Sequence, residues 1–219
     1  MNNKIVKFAI VGHPNKGKTS VISSLAQDGS AQISSYSYSS TETTSFQTET
    51  YHCGFELIDT PCLQKPQQVL TWLQQKTNSA EERSKAVANF VADTECHTNY
   101  PNAVEILHLL VNGAAIIYVV DGSKPYTSEC EAEMEILLWS GRPSIALINT
   151  EKNIAYIDSW KKALEQYFKM VRIFNPKDIK FEQKVELFQS IAYMNSDWSE
   201  HLALVIKDLT EKHEQRNIS

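Results

Sequence analysis

Residues 12–19 read Gly-His-Pro-Asn-Lys-Gly-Lys-Thr and match the phosphate-binding pattern G-x-x-x-x-G-K-[ST] at every fixed position. The apolar run Lys4–Val11 precedes them and a helix-compatible segment, Lys18–Gln27, follows, which is the context that the pattern requires. The two glycines let the backbone curl so that successive N–H groups point at phosphate oxygens. The sequence therefore predicts a bound nucleotide, and the alternative is a glycine-rich turn without a ligand.

The chemistry of this loop assigns a role to two of its side chains. Lys18 supplies a mobile cation for the β- and γ-phosphates and is predicted to act in catalysis, and the hydroxyl of Thr19 is a ligand for Mg²⁺. The predicted nucleotide contacts are the loop and the residue after it: Gly12, His13, Pro14, Asn15, Lys16, Gly17, Lys18, Thr19 and Ser20.

A second signal is an apolar strand that ends in Asp59, within the run Leu-Ile-Asp-Thr-Pro at residues 57–61. An aspartate at the carboxyl end of a neighbouring strand holds Mg²⁺ through water while Thr19 ligates it directly. An aspartate in this position can also simply form a turn. Its coincidence with the phosphate loop favours the metal role.

Composition restricts the class of partner. The 219 residues are sufficient for one domain with a sizeable core, and their net charge of −5 argues against electrostatic attraction to nucleic acid or to anionic membranes. The four cysteines form no C-x-x-C pair, so no zinc ribbon is indicated. The longest apolar stretch, Ile106–Val120, is interrupted by polar residues and is too short to span a bilayer. We expect a cytoplasmic protein.

Strands and helices alternate along most of the chain, which predicts an α/β fold with a mostly parallel sheet and one antiparallel edge strand. The antiparallel strand would come from a hairpin through Gly54. The predicted strands are Lys4–Val11, Ser45–Cys53, Phe55–Asp59, Ala114–Asp121, Ser144–Asn149 and Met170–Phe174.

Two segments depart from compact alternation. In residues 34–45, nine of twelve positions are Ser or Thr, which predicts a mobile loop. Residues 62–113 are long for one crossover and are interpreted as a helical insertion with helices at Gln67–Lys76, Glu81–Ala92 and Asn102–Val111.

Helices are also expected in the second half of the chain. A capping box, Ser128-x-x-Glu131, opens one helix, and apolar residues from Ile157 to Tyr167 recur at helical spacing. Residues 179–194 form another amphipathic helix. Asp197-x-x-Glu200 then caps a last helix that ends near Lys212, before a frayed tail at 213–219. We expect residues 1–195 to form the nucleotide-binding domain and residues 196–219 a C-terminal helix and tail.

The phosphate loop followed by Asp59-Thr-Pro resembles the small bacterial GTPases of the Era and TrmE type, whose loop reads G-x-P-N-x-G-K-S. The runs Ala114–Gly122 and Ser144–Asn149 are also similar to theirs, and the resemblance covers roughly residues 4–175. It implies a three-layer P-loop NTPase fold, the Ras-like G domain. It is closest to a group in which this domain precedes a C-terminal region of unknown function, and that region is expected to be missing or truncated here.

The resemblance implies further site residues. Thr44 would close onto Mg²⁺ with a γ-phosphate present and act in catalysis, which makes residues 30–45 switch I and residues 60–68 switch II. Asn149 would contact the base. Asn15 matches the family asparagine that helps to hold a potassium ion beside the phosphates.

The chain departs from the family pattern in both switch II and the base-reading motif. Cys62 stands where the motif Asp-x-x-Gly has glycine, and Leu63 follows where other GTPases place a water-orienting glutamine. The base-reading motif Asn-Lys-x-Asp is reduced to Asn149-Thr-Glu-Lys152, so the aspartate that accepts two hydrogen bonds from guanine is absent. An Asn-x-x-Asp at Asn175–Asp178 follows the last strand, one loop too late.

Three functions remain open. The first is an Era-like GTPase with Mg²⁺-dependent GTP binding and slow hydrolysis, coupled to switch ordering and dependent on an unknown protein partner or a dimer across the switch face. The second is a nucleotide-binding scaffold with degraded catalysis. The third is an ATP-binding P-loop protein, which the missing guanine aspartate favours. Nothing in the sequence indicates nucleic-acid binding.

Overall fold

The computed structural model describes residues 5–26, 30–37, 42–49, 54–152 and 154–218. In this part of the chain seven strands form one sheet in the order β2-β3-β4-β1-β5-β6-β7. The strands are β1 Val6–Val11, β2 Ser30–Ser37, β3 Glu42–Glu49, β4 Gly54–Asp59, β5 Ala115–Asp121, β6 Ser144–Asn149 and β7 Val171–Phe174.

The helices of the described residues lie on both faces of this sheet. They are α1 Lys18–Ala26, α2 Pro66–Gln75, α3 Arg83–Ala92, α4 Thr94–Asn99, α5 Pro101–Val111, α6 Ser128–Trp139, α7 Ile157–Leu164, α8 Phe181–Met194 and α9 Ser196–Ile218, with a 3₁₀ turn at Ala80–Glu82.

Strand direction confirms the predicted mostly parallel α/β sheet. Strand β1 pairs in parallel with β4 and β5, and β6 continues the parallel ladder from β5 to β7. Strand β3 is antiparallel to both of its neighbours, β2 and β4. The antiparallel strand therefore lies one position inside the edge, which β2 occupies.

Alternating side chains of the central strands enter two separate cores, because successive residues of a strand point to opposite faces. Ala9 and Val11 of β1 belong to the core covered by α2, α3, α5, α6 and α7. Val6, Phe8 and Ile10 belong to the core covered by α1, α8 and α9. Burial on both faces explains why β5 is apolar up to its final aspartate. The sequence-predicted fold class, three layers with a central sheet, is confirmed.

The expected loop at 34–45 is wrong for the residues that the structure describes there. Residues 34–37 belong to β2 and residues 42–45 to β3, and the two strands pair in register. Antiparallel pairing requires only backbone hydrogen bonds, so a Ser/Thr-rich composition does not prevent it, and threonine has good strand propensity. Residues 38–41 lie outside the described part, as do residues 50–53, which end the predicted strand Ser45–Cys53. The turn predicted at Gly54 is wrong, because Gly54 is the first residue of β4 and pairs with Glu49.

The helices predicted within residues 62–113 are confirmed as α2, α3 and α5, which pack on the first core. The short helix α4 was missed. Its signal was Asp93, whose Oδ1 accepts hydrogen bonds from the N–H groups of Glu95 and Cys96 at 2.8 and 3.0 Å. Fully buried side chains in this segment include Leu73 and Phe90.

Two predicted caps are displaced, and the predicted tail differs. Thr127, not Ser128, occupies the N-cap position of α6. Asn195 precedes α9, and its Oδ1 accepts from the N–H of Asp197 at 2.9 Å. Helix α9 continues to Ile218, so the frayed tail predicted from residue 213 is wrong for residues 213–218. Packing extends the helix, since the ring of His213 stacks on Phe181 with centroids 4.1 Å apart.

We predict that α9 is part of the stabilising core and test this with two leucines of that helix. Leu202 is fully buried, whereas Leu204 is 44% exposed. Leu202→Ala should lower the free energy of unfolding by about 2–5 kcal/mol because it removes buried methyl groups and leaves a cavity. Leu204→Ala should change it by less than about 1 kcal/mol. Urea denaturation measures both, and equal effects would contradict the packing of α9.

Candidate nucleotide-binding site

The phosphate loop connects β1 to α1 at the carboxyl end of the sheet. Its glycines are required by close contacts: a Cβ on Gly12 would lie 2.3 Å from the carbonyl oxygen of Val119, and one on Gly17 would lie 2.1 Å from Nδ2 of Asn149. Both glycines, and Asn15 between them, have positive φ angles of 151°, 88° and 59°. The fixed glycines of the pattern are thus explained by the neighbouring strands β5 and β6.

Lys18 lies within the curve of this loop. Its Nζ donates to the carbonyl oxygen of Gly12 at 2.9 Å and contacts that of His13 at 3.5 Å. These carbonyls belong to the loop itself, so the ammonium group lies inside the loop that would surround the phosphates of a nucleotide. The phosphate role of Lys18 stays a prediction.

The predicted metal ligands lie together at the start of α1. The hydroxyl of Thr19 donates to Oδ2 of Asp59 at 2.8 Å. Thr44 of β3 lies directly opposite Asp59 of β4 in the antiparallel ladder. Hydroxyl and carboxylate oxygens are the donors that Mg²⁺ prefers, so this set fits Mg²⁺.

These groups line an open groove of about 380 Å³. The groove brings together most of the predicted site residues and adds three that follow Asp59. Its lining is Pro14, Asn15, Gly17, Lys18, Thr19, Ser20, Thr44, Asp59, Thr60, Pro61 and Cys62.

The side chains of His13 and Lys16 lie elsewhere, beneath the loop. His13 Nδ1 is 3.3 Å from Oε2 of the fully buried Glu133 on α6, and the hydroxyl of Tyr118 donates to the same oxygen at 2.7 Å. Lys16 is 8% exposed. Burial lowers the pKa of Lys16, and the nearby Asp121 carboxylate opposes that shift. Any contact of these two residues with a nucleotide therefore comes from their backbone. Glu133 carried no signal in the sequence, because 120 positions separate it from His13.

The two switch II departures have different surroundings. Cys62 lines the groove, and its carbonyl oxygen accepts from Nδ2 of Asn102 on α5 at 3.3 Å. Leu63 is 3% exposed and packs in the core between the sheet and α2. The Leu63 side chain faces away from the position of a nucleotide, so it has no means of orienting water there.

Asn149 ends β6 and joins two loops. Its Nδ2 donates to the carbonyl oxygen of Lys16 at 2.9 Å, and its Oδ1 accepts from the N–H of Glu151 at 2.9 Å. In the following loop Asn175 caps its own turn, since its Oδ1 accepts from the N–H of Lys177 at 3.1 Å. The late Asn-x-x-Asp is therefore a turn motif.

The sheet order, the phosphate loop and the Thr19–Asp59 contact together define a P-loop GTPase of Ras-like fold. Residues 7–150, more than half of the chain, match the family described as 50S ribosome-binding GTPase, and the chain belongs to that family. It is a GTP-binding P-loop GTPase domain, and enzymes of this class in general hydrolyse GTP with Mg²⁺.

Solved structures of similar fold come from iron transporters. The G domain of the T. maritima FeoB iron transporter is 19% identical with a TM-score of 0.51, over 87% of this chain and 98% of that one. The cytosolic domain of the same transporter in a GDP form is 18% identical with a TM-score of 0.52, over 89% and 65%. The chain thus spans less than two thirds of that longer domain. At these identities the likeness concerns the fold alone.

Two further comparisons bear on the chain. No curated protein matches it in sequence. Among the helices that the structure describes, none combines the length and the apolar composition needed to cross a membrane.

We predict a pH-dependent contact beneath the phosphate loop. The Glu133 carboxylate, 3.3 Å from Nδ1, raises the pKa of His13 above its ordinary value of 6.5, although burial and Lys16 act against it and Glu129 adds a smaller increase. Because the pKa is raised on folding, the stabilisation is complete below about pH 6.5 and is lost as the pH rises through the folded value. The stability advantage of the parent over His13→Asn should therefore shrink between about pH 5.5 and 8.5.

The measurement is nucleotide-free urea denaturation across this pH range, together with an NMR titration of the His13 ring. Glu133→Gln keeps the shape of the side chain and removes its charge, so it should bring the His13 pKa down. A His13 pKa at or below 6.5 in the parent would contradict the role of Glu133.

Proposed function

We propose that this chain is an Era-like guanine-nucleotide switch that binds GTP with Mg²⁺ and hydrolyses it slowly. The observation that carries the proposal is the contact of Thr19 with Asp59 at 2.8 Å, beside the ammonium group of Lys18. This contact brings the hydroxyl of the phosphate-loop motif and the carboxylate at the end of β4 together beside one anion-binding loop, although the two residues are far apart in sequence.

The roles follow from the positions of the groups. Backbone N–H groups of the phosphate loop and Lys18 bind the β- and γ-phosphates. Thr19, Asp59 and, with a γ-phosphate present, Thr44 hold Mg²⁺, which neutralises charge on the phosphate oxygens when bound. Asn149 fixes the loop that faces the base, through its bond to Lys16.

Slow hydrolysis is proposed from the residues beside the γ-phosphate position. Leu63 is buried in the core, and Cys62 replaces the glycine whose backbone freedom brings an N–H group to the γ-phosphate. Lys18 and Mg²⁺ would still neutralise charge on the phosphates, but neither Cys62 nor Leu63 would position the attacking water. We propose that a protein partner, or a second copy docked across the switch face, supplies the missing group.

One alternative remains. A nucleotide-binding scaffold with degraded catalysis is favoured by Cys62 and Leu63, and turnover separates it from a GTPase. The ATP-binding alternative is not retained, because the family match is to a GTPase domain. Lys152 stands where the family pattern has a base-reading aspartate, so competition between GTP and ATP measures how selective the site is for guanine. Ribosome binding is not part of the proposal, because a net charge of −5 gives no electrostatic support for an RNA partner.

Lys18→Ala should abolish tight binding of a fluorescent GDP analogue, because it removes the cation from the phosphate loop. Lys85→Ala, which changes an exposed lysine on α3, should leave the affinity unchanged. Fluorescence titration of both variants, with circular dichroism to check folding, is the measurement. Equal affinity of Lys18→Ala and the parent for the GDP analogue would contradict the phosphate-binding role of this loop.

Without a partner, GTP turnover should be slower than about one per minute in NaCl. It should be several-fold faster in KCl, because Asn15 would help to hold a potassium ion where charge builds between the β- and γ-phosphates. Asn15 has a φ of 59° and lines the groove. Asn15→Gly keeps that backbone conformation without the side-chain amide. Phosphate release in matched salts should show potassium stimulation in the parent and none in Asn15→Gly. The same rates in both salts for the parent would remove potassium from the mechanism.

A further inference from the structure

The phosphate groove continues past the start of α1 into a second cavity, which we name the base groove. Its first part, about 230 Å³, is lined by Asn15, Gly17, Ser20, Asp121, Asn149, Glu151 and Lys152. It opens further toward Ser23, Pro176 and Lys177, and Ser20 and Glu151 border both parts. A base attached to phosphates in the loop would enter this space, because it borders the phosphate groove at Asn15, Gly17 and Ser20.

The carboxylate of Glu151 borders this groove and pairs with Lys177, whose side chain is 73% exposed. The backbone N–H of Glu151 donates to Oδ1 of Asn149 at 2.9 Å, and Asn149 in turn binds the phosphate loop. On the side chain, Oε1 lies 2.9 Å from Nζ of Lys177, which belongs to the loop after β7. The side chain of Glu151 is 21% exposed. An acceptor and a donor are thus presented side by side, tied to the loop that would hold the phosphates.

A second observation concerns a buried carboxylate in the wall of this groove. Asp121 ends β5 directly beside Asn149 and is 4% exposed. Its Oδ1 accepts from the N–H and the hydroxyl of Ser123. Its buried Oδ2 has no hydrogen-bond partner among the residues that the structure describes. The ammonium groups of Lys16 and Lys152 interact with this carboxylate through their charge, but neither donates a hydrogen bond to Oδ2. A ligand N–H group in this cavity would therefore satisfy an oxygen that has charge partners and no donor.

The two purines differ in what they offer such a wall. Guanine presents the O6 acceptor beside its N1–H and N2–H₂ donors, whereas adenine presents the N6–H₂ donor beside the N1 acceptor. A lysine next to a carboxylate matches guanine, with Lys177 donating to O6 and Glu151 accepting from N1–H and N2–H₂. With adenine, the Lys177 donor would face the N6–H₂ donor and the Glu151 acceptor would face the N1 acceptor, so neither hydrogen bond would form.

We propose that Glu151, held by Lys177, reads the guanine base in this chain and takes over the recognition that position 152 has lost. Lys152 carries a cation and has no acceptor for the N–H groups of guanine. This inference rests on the proposed guanine-nucleotide binding and adds the residue that determines base specificity.

The test replaces the carboxylate by an amide and changes the base to match. Xanthine carries a carbonyl at C2 where guanine carries an amino group, so it accepts a hydrogen bond there. Glu151→Gln should weaken GDP binding by about tenfold or more, since a charge-assisted acceptor is lost. The same variant should bind xanthosine diphosphate more tightly than the parent does, because the amide is able to donate to that carbonyl. A general structural disturbance would weaken both ligands alike.

Controls separate the outcomes. Glu165→Gln, an exposed change at the end of α7, should leave both affinities as in the parent. The inference is overturned if Glu151→Gln has the same ratio of GDP affinity to xanthosine diphosphate affinity as the parent. It is also overturned if Asp121→Asn, and not Glu151→Gln, shifts that ratio toward xanthosine diphosphate. If the parent prefers GDP to ADP in either of those cases, the proposed function stands without this inference. A parent that binds GDP and ADP equally overturns both.

Discussion

The side-chain amide of Asn149 is the contact on which the geometry of the nucleotide site depends. It binds the carbonyl oxygen of Lys16 and the N–H of Glu151, and so joins the loop after β1 to the loop after β6. The two strands are separated in the sheet by β5. Gly17 is required because a Cβ there would collide with this amide. The glycine pattern, the strand order and the asparagine at the end of β6 are therefore parts of one constraint.

Much of this arrangement could be predicted from the sequence because it depends on short motifs and regular patterns. The phosphate loop and the position of Asp59 are predicted from residue type and spacing. The apolar runs of β1, β5 and β6 predict a parallel sheet that is buried on both faces. The helices of residues 62–113 follow from their amphipathic spacing. The polar hairpin of β2 and β3 does not, since backbone pairing leaves little trace in side-chain polarity.

The long-range polar contacts of the site could not be predicted from the sequence for a different reason. His13 with Glu133, and Glu151 with Lys177, unite residues from different elements whose proximity is fixed only by the packed sheet. The sequence shows that position 152 lacks a carboxylate, but the position of Glu151 one residue earlier depends on the bond of its backbone N–H to Asn149. Leu63 was interpreted by its chemistry alone, and its burial explains why an apolar side chain is accommodated there.

The pairing of Thr44 with Asp59 has a mechanical consequence. These residues form the last rung of the ladder between β3 and β4, and the register continues without a gap to Glu49 and Gly54. A threonine on a separate loop would leave the metal by rotation about a few backbone bonds. Here Thr44 would leave only when its backbone pairing at the end of the β3–β4 ladder is broken. Opening would then proceed rung by rung, at the cost of one backbone pairing after another.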